Sequence, residues 1–512
     1  MATITISNTG GNFNATGTWV GGVVPGVADN VVATATSGPL TVTNSPTIIS
    51  INFTNYTNTF SVNSGFTLTL TGGITMVAGM SVSPSSTGTL AFNASTSITS
   101  GGQVWPGNLV FSLTGNRAYT LGDNWVVNGN VQVGYTAGLT CTFVSNQMSI
   151  KGNFIVGSNA SATNSTVTGS TVIVLATDTS QTITSNITIP SVRMLCALVI
   201  NAAGTVIFST PTAALRFGNV TYTAGEVVSV GANLQNLGGT IFTTSLMTWD
   251  CNWYFQASAA TFTFGSDFNI SNLGTLTLDG LTGAFVLNGN NINLYGDLFM
   301  TYTGFGGNIT GTTIMNFLGD CTISQESGMQ LRLPIVINSS GTVTFSTDFV
   351  HGNTLTYTAG NFSMSTSLTW SVILSTTYTF NSPGFSFSNF VTILTHTFAG
   401  AYGCDFYSYS ISTTTAGINQ IFQSTNTYNI TNSLFLLGTA ANTLTIRSSS
   451  SGSRAVVTLY YGALMDVGHV TATDIDSSGG QTVWNYKGTI SNTLNWQALP
   501  TVPKTIGVPW VR

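Results

Sequence analysis

Charged side chains are scarce in this chain. Asp, Glu, Lys and Arg make up 5% of 512 residues, against roughly a quarter in ordinary soluble domains. Lys and Arg number 10, none falls between Arg332 and Arg447, and the net charge is −5. Such a chain has no basic stripe to neutralise phosphates, which argues against nucleic acid as a partner. The five cysteines, Cys141, Cys196, Cys251, Cys321 and Cys404, are widely spaced, with no C-x-x-C pair and no Cys/His cluster. Neither a disulfide framework nor a zinc site is signalled, so buried free thiols are expected, with no metal and no cofactor. No stretch approaches the roughly 18 uninterrupted apolar residues of a membrane-spanning helix. The opening Met1-Ala2-Thr3-Ile4-Thr5-Ile6 alternates like a strand, without the basic and apolar regions of a secretory signal. Leu, Ala, Glu and Lys are scarce or unperiodic, which excludes a helix-rich fold. Phosphate loop, nucleophile elbow and dinucleotide fingerprint are all missing.

Thr, Ser, Asn and 56 Gly stand where the charges would be, together with 30 Phe, 16 Tyr and 9 Trp. That much aromatic surface to bury excludes disorder. Runs such as Thr67-Leu68-Thr69-Leu70-Thr71, Thr261-Phe262-Thr263-Phe264 and Thr275-Leu276-Thr277-Leu278 alternate with period two and predict half-buried strands. Between the runs come pairs such as Gly129-Asn130, Gly152-Asn153 and Gly289-Asn290, which suit tight corners. The chain also repeats itself. Leu198 to Thr210 aligns with Ile335 to Thr347, and both copies run on into Thr-Tyr-Thr-Ala-Gly at 221–225 and 356–360; a shorter copy is Tyr135-Thr136-Ala137-Gly138. Self-similarity of this kind marks stacked architectures in which each unit buries its apolar face against its neighbours.

The turns recur about every 20 to 25 residues, the length of one coil of a parallel β-helix. Stacked Asn and Thr suit such a coil, whereas stacked like charges would repel. The expected fold is therefore all-β, a right-handed parallel β-helix of about 20 rungs, with tandem antiparallel β-sandwiches as the alternative, since alternation alone does not set strand direction. The expected organisation is an N-terminal cap over 1–35, a solenoid body over 36–470, and a C-terminal cap with a Pro-rich tail over 471–512. The tail carries Pro500, Pro503 and Pro509 and ends Trp510-Val511-Arg512. It reads either as a cover for the terminal rung or as a docking peptide built on Pro503, Pro509 and Trp510.

The segment Gly17 to Val31, with Trp19, Pro25, Gly26 and Asp29, resembles the opening segment of many bacterial surface and phage-encoded parallel β-helix proteins, including the G8 type. Asp476-Ser477-Ser478-Gly479-Gly480, Trp484 and Asn492-Thr493-Leu494-Asn495-Trp496 resemble their closing segment. The resemblance covers roughly 30 residues at each end and carries no catalytic residue across. It implies a β-helical surface or virion protein, with Trp19, Pro25 and Asp29 serving the N-terminal cap.

Thirteen Asp and two Glu are available for chemistry. Cutting a polysaccharide on such a scaffold takes two of them about 5 Å or about 6.5 to 9.5 Å apart. Asp297 with Asp320 and Glu226 with Asp250 lie a plausible rung apart, and Asp474 with Asp476 lie on one strand face, where a turn or cation role competes with catalysis. His351, His396 and His469 are isolated, as solvated or turn histidines are. Trp249, Trp253 and Tyr254 form the densest aromatic cluster, readable as a sugar-stacking platform or as an interior stack.

The expected role is a non-enzymatic fibre, spike or decoration protein at a virion surface or outside the cell, used for attachment. Its expected partners are further copies of itself, a trimer among the options, other virion or surface proteins, and surface glycans. The alternatives are a polysaccharide depolymerase and a self-assembling filament subunit. Sparse Lys and Arg predict resistance to trypsin with early cutting confined to Lys504, read by mass spectrometry; rapid cleavage at Arg216 or Arg332 would count against a continuous solenoid.

Overall fold

A computed structural model describes residues 1–135, 139–156, 166–185, 191–209, 214–217, 219–236, 241–242, 248–257, 261–280, 284–302 and 307–499. Strand accounts for 58% of the chain, and the described residues contain no α-helix. Two compact units divide the sequence, Met1–Tyr254 and Phe255–Arg512. Each is a parallel β-solenoid, and together they carry about 18 turns.

In the first unit one turn consists of strands Arg117–Leu121, Trp125–Val127 and Val131–Tyr135, and the next consists of Thr140–Val144, Gln147–Ile150 and Phe154–Val156. Each strand pairs in parallel with its counterpart one turn on. Three faces therefore stack like over like. Ile4, Val31, Ile51, Ile74, Ile98 and Leu121 form one inward column. Leu68, Leu90, Leu109, Val131, Phe154, Ile183 and Phe208 form another. All are buried, each worth about 1.5 to 3 kcal/mol of transfer free energy. Period-two alternation thus places the apolar residues inside and Thr, Ser and Asn outside. Uniformly parallel pairing between these strands excludes the antiparallel sandwich alternative.

Corners are where backbones approach most closely. A Cβ on Gly107 would lie 2.0 Å from the Gly88 carbonyl oxygen, and one on Gly129 would lie 2.2 Å from that of Gly107. Each of these glycines precedes an Asn that ties the turns together. The Asn108 side chain accepts the Asn130 N–H at 2.9 Å, and the Asn130 side chain accepts the Asn153 N–H at 2.8 Å. The pairs Gly129-Asn130 and Gly152-Asn153 of the sequence are such corners, whereas Asn290 after Gly289 donates its amide to the Phe264 carbonyl.

The second unit repeats the scheme with larger side chains. Its inward column runs Phe268, Ile292, Met315, Ile335, Leu355, Tyr378, Phe398 and Phe422. Beside it, Asn269, Asn293 and Asn316 form an amide ladder with side-chain bonds of 2.7 Å at both steps. Rings in register stack nearly parallel, Phe387 on Phe406 at 5.4 Å and Phe390 on Tyr409 at 5.4 Å.

The Thr-Tyr-Thr-Ala-Gly repeat is a bulged corner present once in each unit. Ile200 faces Tyr222 but Asn201 faces Ala224, and Ile337 faces Tyr357 but Asn338 faces Ala359. Gly225 and Gly360 absorb the slip with φ of 116° and 105°, values that strain any residue carrying a Cβ. The Tyr222 hydroxyl donates to the Gly225 carbonyl at 2.5 Å, and Tyr357 makes the same bond to Gly360. The third copy, at 136–138, lies outside the described residues.

At the N-terminus the first strand, Thr3–Thr5, pairs with Asn30–Val32 on one side. Its other side is closed by an antiparallel bridge between Ile6 and Trp19, with Ser7 N–H donating to Thr18 O at 2.8 Å and Val20 N–H to Thr5 O at 2.9 Å. Trp19 is buried, packs edge-on against Phe13 at 5.0 Å and donates its indole N–H to the Phe13 carbonyl. Pro25 is buried. Asp29 accepts the N–H groups of Gly26 and Ala2, and these bonds hold its carboxyl below the usual range.

Histidines depart from expectation. Only His469, at φ 52°, is a corner residue; His351 and His396 are completely buried. His351 Nε2 lies 3.0 Å from the Leu333 carbonyl and Nδ1 lies 2.8 Å from the Tyr378 hydroxyl. A carbonyl only accepts, so Nε2 carries the proton and Nδ1 accepts from Tyr378. His396 packs among Tyr378, Phe390 and Phe398, and neither ring nitrogen has a partner among the described residues. Burial pushes His351 down to about 4 and His396 down to about 3, the latter helped by His351. The unfolded chain takes up these protons near pH 6.5 while the folded one refuses them. Their contribution to stability is complete above that pH and falls away as pH drops toward 4 and 3. His396→Phe is expected to shrink the loss of stability between about pH 6 and pH 4 by roughly 2 kcal/mol, measured by denaturant unfolding at both pH values.

Candidate functional site

Carboxylates decide between a scaffold and a glycan-cutting enzyme, and most of them are turned toward backbone. Gly296-Asp297 and Gly319-Asp320 occupy successive corners of the second unit, equivalent in design to the Gly-Asn corners of the first. Asp297 accepts the Thr322 N–H at 2.7 Å, and Asp320 accepts the Thr342 N–H at 2.6 Å. Asp123 takes the N–H groups of Ser100 and Gly101, Asp267 that of Asn291, and Asp348 that of Thr369. Glu226 accepts the Thr205 hydroxyl at 2.7 Å, whereas Asp250 is exposed. The spacing that suggested paired acids is therefore the spacing of the corners.

Asp474 and Asp476 have local roles as well. Asp474 takes φ 55° above Asn492 at φ 49°, accepts the Asn492 amide and accepts the Gly452 N–H at 3.0 Å. Those bonds, the amide first, hold its carboxyl below the usual range, with Arg454 assisting. Asp476 accepts the Ser478 N–H two residues on at 2.8 Å, a turn of the Asx kind. Among the described residues no three metal-ligating side chains gather in one place. Cys141, Cys196, Cys321 and Cys404 are free and buried, and burial raises their thiols, Cys321 to about 11.

Trp249 and Trp253 are 0% and 1% exposed and meet edge to face at 5.0 Å. They are core residues, which corrects the surface-platform reading; Tyr254 beside them is half-buried. Pro503, Pro509 and Trp510 lie outside the described residues.

An accessible aromatic site lies elsewhere, in the last turns. A cavity of about 600 Å³ is lined by Tyr461, Ala463, Met465, Val467, Ser478, Gly480, Gln481, Thr482, Trp484, Tyr486, Leu494, Asn495 and Leu499. Three consecutive turns build it. Strand Val483–Tyr486 pairs with Leu464–Gly468 before it and with Trp496–Leu499 after it. Gln481 is fixed by donating to the Ala463 carbonyl at 2.6 Å. Asn495, at φ 59°, donates to the carbonyls of Ser477 and Gly480 and accepts the Thr482 hydroxyl at 2.8 Å. The Tyr486 ring lies over Gly468, where a Cβ would come within 2.1 Å of it. Asp466, in the same strand as Met465 and Val467, keeps one carboxylate oxygen buried without a hydrogen-bond partner. Burial pushes this carboxyl up, and its charge helps to raise the Tyr486 phenol after burial does.

No family model, characterised protein or solved structure matches the chain. The cavity walls coincide with the closing segment singled out in the sequence, since Ser478, Gly480, Trp484, Leu494 and Asn495 belong to both. Reading that segment as a cap alone missed the cavity. The signal was the presence of Trp and Tyr at alternate positions, 484 and 486, the outward positions of a period-two strand.

If Asp297 and Asp320 serve as corner ties, Asn should replace them as it does at 108, 130 and 153. Asp320→Asn is expected to leave the unfolding free energy within about 0.5 kcal/mol of wild type, whereas Asp320→Ala, which leaves the Thr342 N–H unpaired, costs about 1 to 2 kcal/mol. Chemical denaturation of the two variants checks this.

Proposed function

We propose that this protein is a non-enzymatic β-solenoid of a virion or cell surface, used for attachment and working alongside further copies of itself and other surface proteins. The observation that carries this reading is the commitment of the carboxylates to neighbouring turns at 123, 267, 297, 320 and 348. Acids placed there build corners instead of a paired acid and base. The scarcity of charge supports an extended surface over a catalytic cleft. The resemblance of both ends to bacterial surface and phage-encoded β-helix proteins points the same way.

A depolymerase reading has one observation in its favour, the raised carboxyl of Asp466 beside an aromatic-lined cavity. Two measurements separate the readings. Antibodies to the folded protein are expected to label the outside of intact particles or cells, and incubation with purified polysaccharides is expected to release no reducing ends. Reducing ends whose release Asp466→Asn abolishes would replace the attachment reading with an enzymatic one.

A further inference from the structure

We infer that the cavity between residues 461 and 499 is a binding site for a neutral oligosaccharide. The inference rests on the attachment reading and supplies the chemistry by which attachment would occur. Four observations converge on it. At about 600 Å³ the cavity falls in the range used for small ligands, roughly 300 to 1,000 Å³. Its walls combine the aromatic rings of Tyr461, Trp484 and Tyr486 with the amides and hydroxyl of Gln481, Asn495 and Thr482. Aromatic faces match the C–H faces of sugar rings, and the side-chain oxygens of Gln481, Thr482 and Asn495 can accept O–H groups around their edge, the Asn495 N–H and Thr482 O–H donors being used within the wall.

The lining contains no Lys, Arg, Asp or Glu. The charge felt by its Tyr486 wall is that of Asp466, which is negative. A sialylated or sulfated glycan would enter without a counter-charge, so the site selects uncharged sugars. The walls are also preformed. Gln481 and Asn495 are held by backbone carbonyls at 2.6 Å and 3.0 Å, and Tyr486 rests on Gly468. Holding them in place beforehand lowers the ordering cost of binding. Tyr461 differs in being 83% exposed, free to close over a bound ring.

A glycan array followed by calorimetry on the full-length protein tests this. Neutral oligosaccharides are expected to bind and sialylated or sulfated ones not to. Trp484→Ala and Tyr461→Ala are each expected to weaken binding about tenfold or more. Tyr461 is so exposed that its loss cannot unfold the chain, and unchanged circular-dichroism melting of Trp484→Ala confirms that its loss is local. Binding to anionic glycans alone, binding unaffected by both substitutions, or no glycan binding would overturn the inference. So would concentration-dependent dimerisation that Tyr461→Ala abolishes, which would assign the cavity to a second copy. Surface labelling of particles stands or falls separately, so failure here is distinguishable from failure of the attachment role.

Discussion

In a parallel coil every residue sits about 4.8 Å from its counterpart in the next turn, and this spacing governs the rest of the molecule. Like is placed on like, so a side chain is tolerated according to how it interacts with its own kind. Isoleucine on valine, phenylalanine on tyrosine and asparagine on asparagine all gain from the contact. Lysine on lysine does not. The poverty of charge follows from this rule, as do the amide ladder of Asn269, Asn293 and Asn316 and the glycine column at 88, 107 and 129, where carbonyls leave no room for a Cβ.

The same rule explains how a chain with few acids uses them. A carboxylate at a corner finds a backbone N–H one turn away and is held there, in the position Asn occupies elsewhere. Asp466 departs from this pattern: it sits inside a strand, and one of its buried oxygens has no hydrogen-bond partner among the described residues. Its surroundings differ in other ways too: the strand one turn on directs Trp484 and Tyr486 outward, and residues of three turns line a cavity there. The scaffold is uniform where it has only to stack, and irregular at the place proposed to bind.

Much of the fold was legible in the sequence because it rests on local rules. Alternation at 67–71 and 275–278 marked strands, Gly-Asn pairs marked corners, and the repeat at 198–210 and 335–347 marked two copies of one bulged turn. Alternation alone left strand direction open, since period two is common to parallel and antiparallel pairing; the turn spacing and the stacking of Asn and Thr favoured the parallel coil that the structure shows. The fates of Trp249 and Trp253 were hidden because burial at those positions depends on which face of the coil the strand presents. The carboxylate spacings misled for a related reason: one turn is both the distance between corners and the distance at which two acids would cooperate. The cavity draws on residues from 461 to 499 in three turns, and only their stacking brings them together.

The antiparallel bridge between Ile6 and Trp19 can be understood as crystal growth stopped at its first layer. Each turn of a solenoid is a template on which another parallel strand can crystallise, and an uncovered first strand would recruit strands from any neighbour. Residues 18–20 occupy that template in the opposite direction, with hydrogen bonds spaced for an antiparallel partner. A second copy arriving there would have to melt this layer before adding its own. The edge of this first strand thus carries a layer on which a parallel strand cannot be laid without displacing residues 18–20.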